Sequence, residues 1–541
     1  MEPLILAIDL GTSGPKIALV TPQGQVRDCR VGECRLTVLP GGGVEQDPEA
    51  WWAAIRTTLA ELLAANPGAP DRIAAIGCTS QWSGTVAVDE AGRPLMNAII
   101  WMDSRGAPYV AAITGGLLKL QGYGLRRLIT WLRLTGGIPV HSGKDSIAHI
   151  LFIKHERPDI YRRAHRFLEP KDYLNLRLTG LTAASHESIT LHWLTDNRDI
   201  HNVRYDDRLL RWATIDRAKL PDLRRATDIL GPIRPDVARE LGLPPDIPVI
   251  VGTPDMHSAA VGSGAVGDFE PHLYIGTSSW LTCHVPTKKT DLFHNMASLP
   301  SAVPGKYFIA DEQETAGACL AFLRDNILYA DDLLARDQRV PNVYPLFDRM
   351  VASVEPGSGK LIFTPWLHGE RTPVDDRHVR GGFHNLSLHH TRADMIRAVF
   401  EGVAYNSRWL LRYVERFVGR RLDNIRMVGG GANSAVWCQI HADVLDRTIR
   451  QVKDPVQTNV RGIALLAGVA TGAITIDAIG DVEIANTYHP VSYTHLTLPP
   501  SDLVEISVVA VSLKKKTLKK YAADLCITKQ CKRQIHRTRH T

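Results

Sequence analysis

Two short segments of this chain carry the same chemistry in the same order. Ile8-Asp9-Leu10-Gly11-Thr12-Ser13 lies near the start, and Tyr274-Ile275-Gly276-Thr277-Ser278 lies 265 residues further on, counted from glycine to glycine. Glycine lets the backbone turn tightly and approach a ligand, and the amides and hydroxyls that follow can donate to phosphate oxygens. One Gly-Thr-Ser closes many ordinary hairpins; two suggest like-built halves closing on one polyphosphate. Only the first copy has a carboxylate, Asp9, where the second has Tyr274. Asp9 could be a structural acid at a strand end, but its place before the loop favours magnesium, a hard cation that prefers oxygen. One metal at one end of the phosphate chain follows.

Three further groups fit around that core. Asp255, in Gly252-Thr253-Pro254-Asp255-Met256-His257, follows an apolar run and precedes small residues that suit a helix start. It could be a helix cap. Beside two phosphate loops, the reading that prevails is a general base taking the proton from an attacking hydroxyl. Gly429-Gly430-Gly431-Ala432-Asn433-Ser434 lies between an apolar run and a helical pattern. Such a turn is often a mere connection, but it admits a flat ring or a phosphate at a helix N-terminus, which suits the nucleoside end of a nucleotide. Gln81-Trp82-Ser83 and Trp101-Met102-Asp103 end two strands, and indoles with amide, hydroxyl and acid groups suit a polyol. Either tryptophan could equally be core, and Trp51 and Trp52 read as helix packing. His141, His257 and His441 show no metal-ligand spacing and read as structural or incidental.

The elements that must position these groups are legible in the apolar pattern. Strands are expected at 4–10, 16–21 and 25–33, with a turn at 22–24, then at 73–78, 85–88 and 98–101. Asp47 and Pro48 open a helix whose apolar positions (Trp51, Ile55, Leu59, Leu62) recur at helical spacing. The second half restarts with strands at 272–275 and 281–285, then 307–310, a helix near 315–326, a helix over 392–418, a buried strand at 425–428 and a helix at 435–445. Strand hairpins followed by helices, given twice, indicate an α/β architecture with an internal duplication.

Composition narrows the class. The 541 residues, 44% hydrophobic and 22% charged, suit a soluble protein of two or three domains, with no apolar run long enough to span a membrane. The eight cysteines are scattered, as expected of reduced thiols in a cytoplasm. The net charge of +6 misleads: residues 491–541 contribute +7 and the body is −1, so nothing in it suggests a nucleic-acid surface. That tail lacks periodicity from Val491-Ser492-Tyr493-Thr494-His495 onward. It resembles a translated sequencing-adapter read-through in place of the natural C-terminus, the alternative being a disordered basic tail.

At this point the chain resembles the FGGY family of carbohydrate kinases, most nearly its xylulokinase-like branch, over essentially all of 4–490. Besides the segments above, the resemblance rests on Glu45-Gln46-Asp47-Pro48, Pro170-Lys171-Asp172-Tyr173, Thr315-Ala316-Gly317-Ala318, Glu370-Arg371-Thr372-Pro373 and a signature over 381–401 with Asn385 where glycine is usual. It implies two ribonuclease-H-like (actin/hexokinase-type ATPase) domains, 1–264 and 265–490, with ATP, Mg²⁺ and a sugar in the interdomain cleft. It implies Asp255 as the base and Asp9 near the magnesium. Gly11, Thr12 and Ser13 would line the phosphates from one side and Gly276, Thr277 and Ser278 from the other, with Gly317, Gly430, Gly431 and Asn433 near the nucleotide. Gln81, Trp82, Ser83, Trp101 and Asp103 would face the sugar. The expected function is ATP-dependent phosphorylation of a small sugar or polyol, a ketopentose such as xylulose before another pentose, a sugar acid or glycerol. A non-catalytic sugar or nucleotide sensor on the same fold is the alternative. The expected setting is cytoplasmic, with a small-molecule sugar as partner, neither nucleic acid nor membrane, and a homodimer as the assembly to test. Trp82-Ser83 stands where that branch commonly has Met-His, and Met102 where it has Asn; a second signature, over 145–155, has His149 for Lys and Phe152 for Trp, and Pro15 stiffens the first turn. These departures bear on the sugar.

Overall fold

The structure is a computed structural model that describes residues 2–333 and 340–491; the basic tail from 492 onward lies outside them. In the first lobe β1 (Leu4–Gly11) is central to a six-stranded sheet. It pairs antiparallel with β2 (Gly14–Val20), which pairs with β3 (Val26–Val31). On its other side it runs parallel to β4 (Ile73–Ser80). Two later strands, β5 (Ile229–Pro232) and β6 (Pro248–Ile250), complete the order β5-β6-β4-β1-β2-β3, with β6 parallel to β4. β1 is buried along nearly its whole length because sheet neighbours and helices cover both faces. Asp47 caps α1 (Pro48–Ala65), accepting from the Glu49 amide, and Trp51 and Trp52 pack into the core, as expected for helix packing. Two more helices of this lobe matter for the site, α2 (Pro170–Thr179) and α3 (Asp255–Gly262).

The second lobe repeats the plan. β7 (His272–Ile275) and β8 (Ser279–Thr282) form the hairpin, β9 (Ile425–Val428) runs parallel to β7, and β10 (Ile449–Val452) parallel to β9. β11 (Ile484–Tyr488) closes the edge antiparallel, giving β8-β7-β9-β10-β11. The expected outer strand over 281–285 is broken at Cys283: His284 and Val285 leave to pair with Tyr307 and Phe308 in a separate four-stranded sheet. The helices are α4 (Gly317–Leu323), α5 (Arg392–Val418), α6 (Ala435–Leu445) and α7 (Thr458–Ala470). The expected helix near 315–326 is α4 followed by one wide turn over Arg324–Leu328.

α7 crosses between the halves. Its Val460, Ile463, Ala464 and Ala467 are buried with Ile5, Ala7, Ala18 and Val20 of the first sheet. It also meets α3 so closely that a Cβ on Gly262 would lie 1.9 Å from the Thr458 carbonyl oxygen, and one on Gly462 would lie 1.9 Å from that of Ser258. Glycine at both contacts is what lets the helices meet backbone to backbone. Among the described residues no helix is long and apolar enough to cross a membrane.

Candidate active site

The β1–β2 hairpin turns through Thr12 and Ser13, and its neighbours fix it tightly. Trp101 Nε1 donates to the Thr12 hydroxyl at 3.0 Å, and that hydroxyl donates to Gln81 Oε1 at 3.0 Å. Gln81 Nε2 donates to Gln46 Oε1 (2.8 Å), and Gln46 Nε2 returns to the Thr12 carbonyl (2.8 Å). Gln81 therefore uses both ends of its amide inside the protein, and the Thr12 hydroxyl points to the residues expected on the sugar side. Gly11 and the exposed Ser13 remain as the open part of the turn.

The turn after β4 packs on α2. Ser83 is left-handed (φ 62°) and its hydroxyl donates to the Lys144 carbonyl at 2.7 Å, while the Gly84 amide donates to Glu169 Oε2 at 2.9 Å. From the same helix Asn175 Nδ2 (2.7 Å) and Lys171 Nζ (3.2 Å) donate to the Val251 carbonyl, four residues before Asp255. One helix thus positions both turns. Trp82 Nε1 donates to the Ser188 carbonyl (3.0 Å), and its ring meets His257 edge-on at 5.3 Å, packed against Met256 and Trp280. Asp103 is buried, accepting from the Val44 amide and from the Arg105 amide and guanidinium; Arg105 also reaches Glu45 at 2.6 Å.

Asp255 begins α3, with Oδ1 accepting from the Met256 amide at 2.8 Å. Burial, then the nearby charges of Asp9 and Glu312, push its carboxyl up to about 8. Asp9 is raised by burial too, opposed by Lys16 and the Asn459 amide. Asp9 Oδ1 and Asn459 Oδ1 are buried acceptors with no hydrogen-bond partner. Lys16, opposite Asp9 in the hairpin, donates to the Val456 carbonyl at 2.6 Å, joining this hairpin to the turn before α7. Tyr274 lies near both acids, whose charges add to burial in raising its phenol, and its ring stacks on Trp280 at 4.0 Å. The two halves converge on these groups.

In the second hairpin Gly276 and Ser278 are half-buried and Thr277 is exposed. The segment before α4 pins it: the Ala316 amide donates to the Thr277 carbonyl and the Gly317 amide to the Gly276 carbonyl, each at 2.8 Å. A Cβ on Gly317 would meet that Gly276 oxygen at 2.5 Å, so Gly317 serves the contact between the two segments. After β9, Gly429 turns with φ 87°, a Cβ on Gly431 would strike Ile275 Cγ2 at 2.4 Å, and Gly430 faces open space beside the exposed Asn433. Of the three glycines expected near the nucleotide, two are demanded by packing and one is open.

Several residues at this site escaped the sequence reading as individuals. Arg371 binds Glu312 and, through Nη2 at 2.8 Å, Glu314, and Glu314 in turn accepts from Lys144 at 3.2 Å. The motif Glu370-Arg371-Thr372-Pro373 and the neighbourhood of Thr315 signalled the segments, not the pairing. His257 and His441 are buried, and His141 stacks on Tyr123. No group of three or more His, Cys, Asp or Glu placed to hold a metal occurs among the described residues.

Comparison with known proteins agrees with this architecture. The N-terminal domain profile of the FGGY family of carbohydrate kinases matches residues 4–262, and its C-terminal domain profile matches 273–471. A xylulose kinase of Staphylococcus epidermidis is 27% identical over 537 residues, covering 97% of this chain and 99% of its own. A gluconokinase of Bacillus subtilis is 27% identical over 490 residues, covering 90% and 91%. The crystal structure of a xyloylose (xylulose) kinase from Brucella ovis superposes with a TM-score of 0.79 at 25% identity, covering 95% of this chain and 99% of that one. The two like-built sheets are the two-domain actin/hexokinase-like α/β fold, and the chain belongs to the FGGY family of carbohydrate kinases.

Proposed function

We propose that this carbohydrate kinase transfers the terminal phosphoryl group of ATP to a hydroxyl of a small neutral sugar, a ketopentose before a sugar acid. Asp255 is the general base. The observation that carries this reading is the placement of Asp255 at the start of α3, within reach of the charges of Asp9 in the first lobe and Glu312 in the second and close enough to act on Tyr274. A carboxylate there accepts the proton of the attacking hydroxyl while the two hairpins hold the phosphates. The Thr12 hydroxyl is already bonded, so Gly11, Ser13, Gly276, Thr277 and Ser278 supply the phosphate contacts, Thr12 orienting the turn. Gly430 admits the nucleoside beside Asn433 and Gly431. Gln81, Trp82, Ser83, Trp101 and Asp103 form the sugar side, the buried hydrogen bonds of Gln81 and Asp103 keeping it rigid.

The donor set fits Mg²⁺: the unpartnered buried oxygens of Asp9 and Asn459 are hard acceptors, and magnesium commonly takes one or two carboxylates with phosphate oxygens and water. When bound, Mg²⁺ would neutralise charge on the transferred phosphoryl group. The six described cysteines are free thiols, which suits a cytoplasmic enzyme. Domains of 1–264 and 265–490 serve this reading, with α7 returning to the first sheet.

A coupled ADP-release assay over neutral pentoses, hexoses, glycerol and aldonic acids tests the proposal. A neutral ketopentose should give the largest kcat/KM. An aldonic acid turning over best would replace the substrate, and release unaffected by every sugar would refute the reading.

A further inference from the structure

One side chain ties the sugar turn to the opposite lobe. The Lys144 carbonyl accepts from the Ser83 hydroxyl at 2.7 Å, and its ammonium reaches across to Glu314 Oε1 at 3.2 Å. The turn that presents Lys144 is held in the first lobe by Asp145, whose Oδ2 accepts from the Val140 amide (2.9 Å) and Trp193 Nε1 (2.6 Å). Glu314 is held in the second lobe: Arg371 donates to Oε1 from Nε (3.0 Å) and Nη2 (2.8 Å), and the Glu314 amide donates to Glu370 Oε1 (3.0 Å). Two and three residues further on, the Ala316 and Gly317 amides pin the carbonyls of the second hairpin. A continuous path of bonds therefore runs from Ser83, through Lys144, Glu314 and the chain at 315–317, to Gly276 and Thr277.

The path stands inside the protein. The Lys144 and Glu314 side chains are 16% and 9% exposed, so the pair is screened far less than a surface bridge. Burial works against ionising Glu314, but Arg371 and Lys144 outweigh it and hold the carboxyl at about 2. Breaking one side of such a pair leaves a buried charge with less compensation, which is costly. Arg371 also binds Glu312, whose charge reaches Asp255.

We propose that Lys144 is a positioning residue that couples occupancy of the sugar turn to the grip of the second hairpin on the phosphates. This rests on the kinase reading above. Because coupling between two ligands is reciprocal, a sugar that orders Ser83 and Lys144 tightens the nucleotide, and the nucleotide tightens the sugar by the same factor. Without the tie the second hairpin holds the nucleotide whether or not the sugar turn is filled, and water competes with the sugar hydroxyl.

The test titrates sugar binding by tryptophan fluorescence, with and without a non-hydrolysable ATP analogue and Mg²⁺, in the full chain and in Lys144→Met. The analogue should tighten the sugar by about fivefold or more in the parent, the usual range of such coupling, and by less than about twofold in the variant. In turnover, Lys144→Met should form more ADP than sugar phosphate, and Lys144→Arg should restore parental coupling and a ratio of one. A merely structural Lys144 predicts instead a lower melting temperature and kcat with coupling and ratio unchanged. Equal coupling in parent and Lys144→Met, or no coupling in an active parent, overturns the proposal. Should Lys144→Met not fold, Glu314→Gln is read from the other side of the pair in the same titration, and unchanged coupling there overturns it equally. A parent that neither binds nor phosphorylates any sugar refutes the kinase reading instead.

Discussion

The turn after β4 and the turn after β9 occupy matching places in two sheets built alike, and they are filled in opposite ways. After β4 stand Gln81, Trp82 and Ser83, each hydrogen-bonded to the protein through its side chain. After β9 stand three glycines, Gly430 facing open space and Gly429 and Gly431 pressed on Ile275. The hairpins differ in the same sense. The first is locked through the Thr12 hydroxyl to Gln81 and Trp101, and the tip of the second is held by backbone bonds from the Ala316 and Gly317 amides. A duplicated frame thus fixes where loops meet, while side-chain volume and hydrogen-bond demand decide what each admits. The polar, rigid turn suits a small hydroxylated molecule, and the bare turn suits a flat ring.

The largest test of that division is Asp255→Asn, which keeps the shape of the junction and removes the base. It should lower kcat by about 10²- to 10⁴-fold while sugar binding, followed by fluorescence, stays within a few-fold. Parental turnover would place the base elsewhere. Next is Thr12→Val, nearly equal in volume, which strips the partners from Gln81 and Trp101. Each orphaned buried group costs about 1–3 kcal/mol, so the melting temperature should fall and the KM for sugar rise more than that for ATP. An effect confined to ATP would mean that the hydroxyl serves phosphate after all. Last is a neighbouring pair. Gly431→Ala forces a Cβ into Ile275 and should destabilise by about 1–3 kcal/mol. Gly430→Ala meets nothing within 4 Å, so calorimetry should find the fold unchanged while the KM for ATP rises about tenfold. Loss of stability in both, or no ATP effect in Gly430→Ala, would end the contrast.

Much of the frame was legible because local chemistry announces it. Apolar strands ending in Gly-Thr-Ser, the Asp47-Pro48 cap, and Asp255 after a buried strand each signal themselves within a few residues. What escaped was set by distant partners. Nothing near Lys144 points to Glu314, 170 residues away, and nothing in 458–470 marks its apolar face as belonging to the first sheet rather than the second. The break at Cys283 was hidden because 281–285 is apolar enough for a strand in either sheet. The orientation of the Thr12 hydroxyl depends on Gln81 and Trp101, 69 and 89 residues away, which no local signal announces. The doubled hairpin was visible; which of its hydroxyls were already engaged was not.

The central claim is that Asp255, half-buried and near the charges of Asp9 and Glu312, must be ionised to act. Its carboxyl lies near pH 8 in the free protein, so the base is increasingly protonated as pH falls below that value. The pH dependence of kcat/KM for the sugar, from pH 5 to 9, tests this directly. The account predicts activity rising about tenfold per pH unit and levelling near pH 8. Asp255→Asn should abolish the limb with the activity. A kcat/KM that is flat from pH 5 to 9, or a limb that persists in the residual activity of Asp255→Asn, would contradict it.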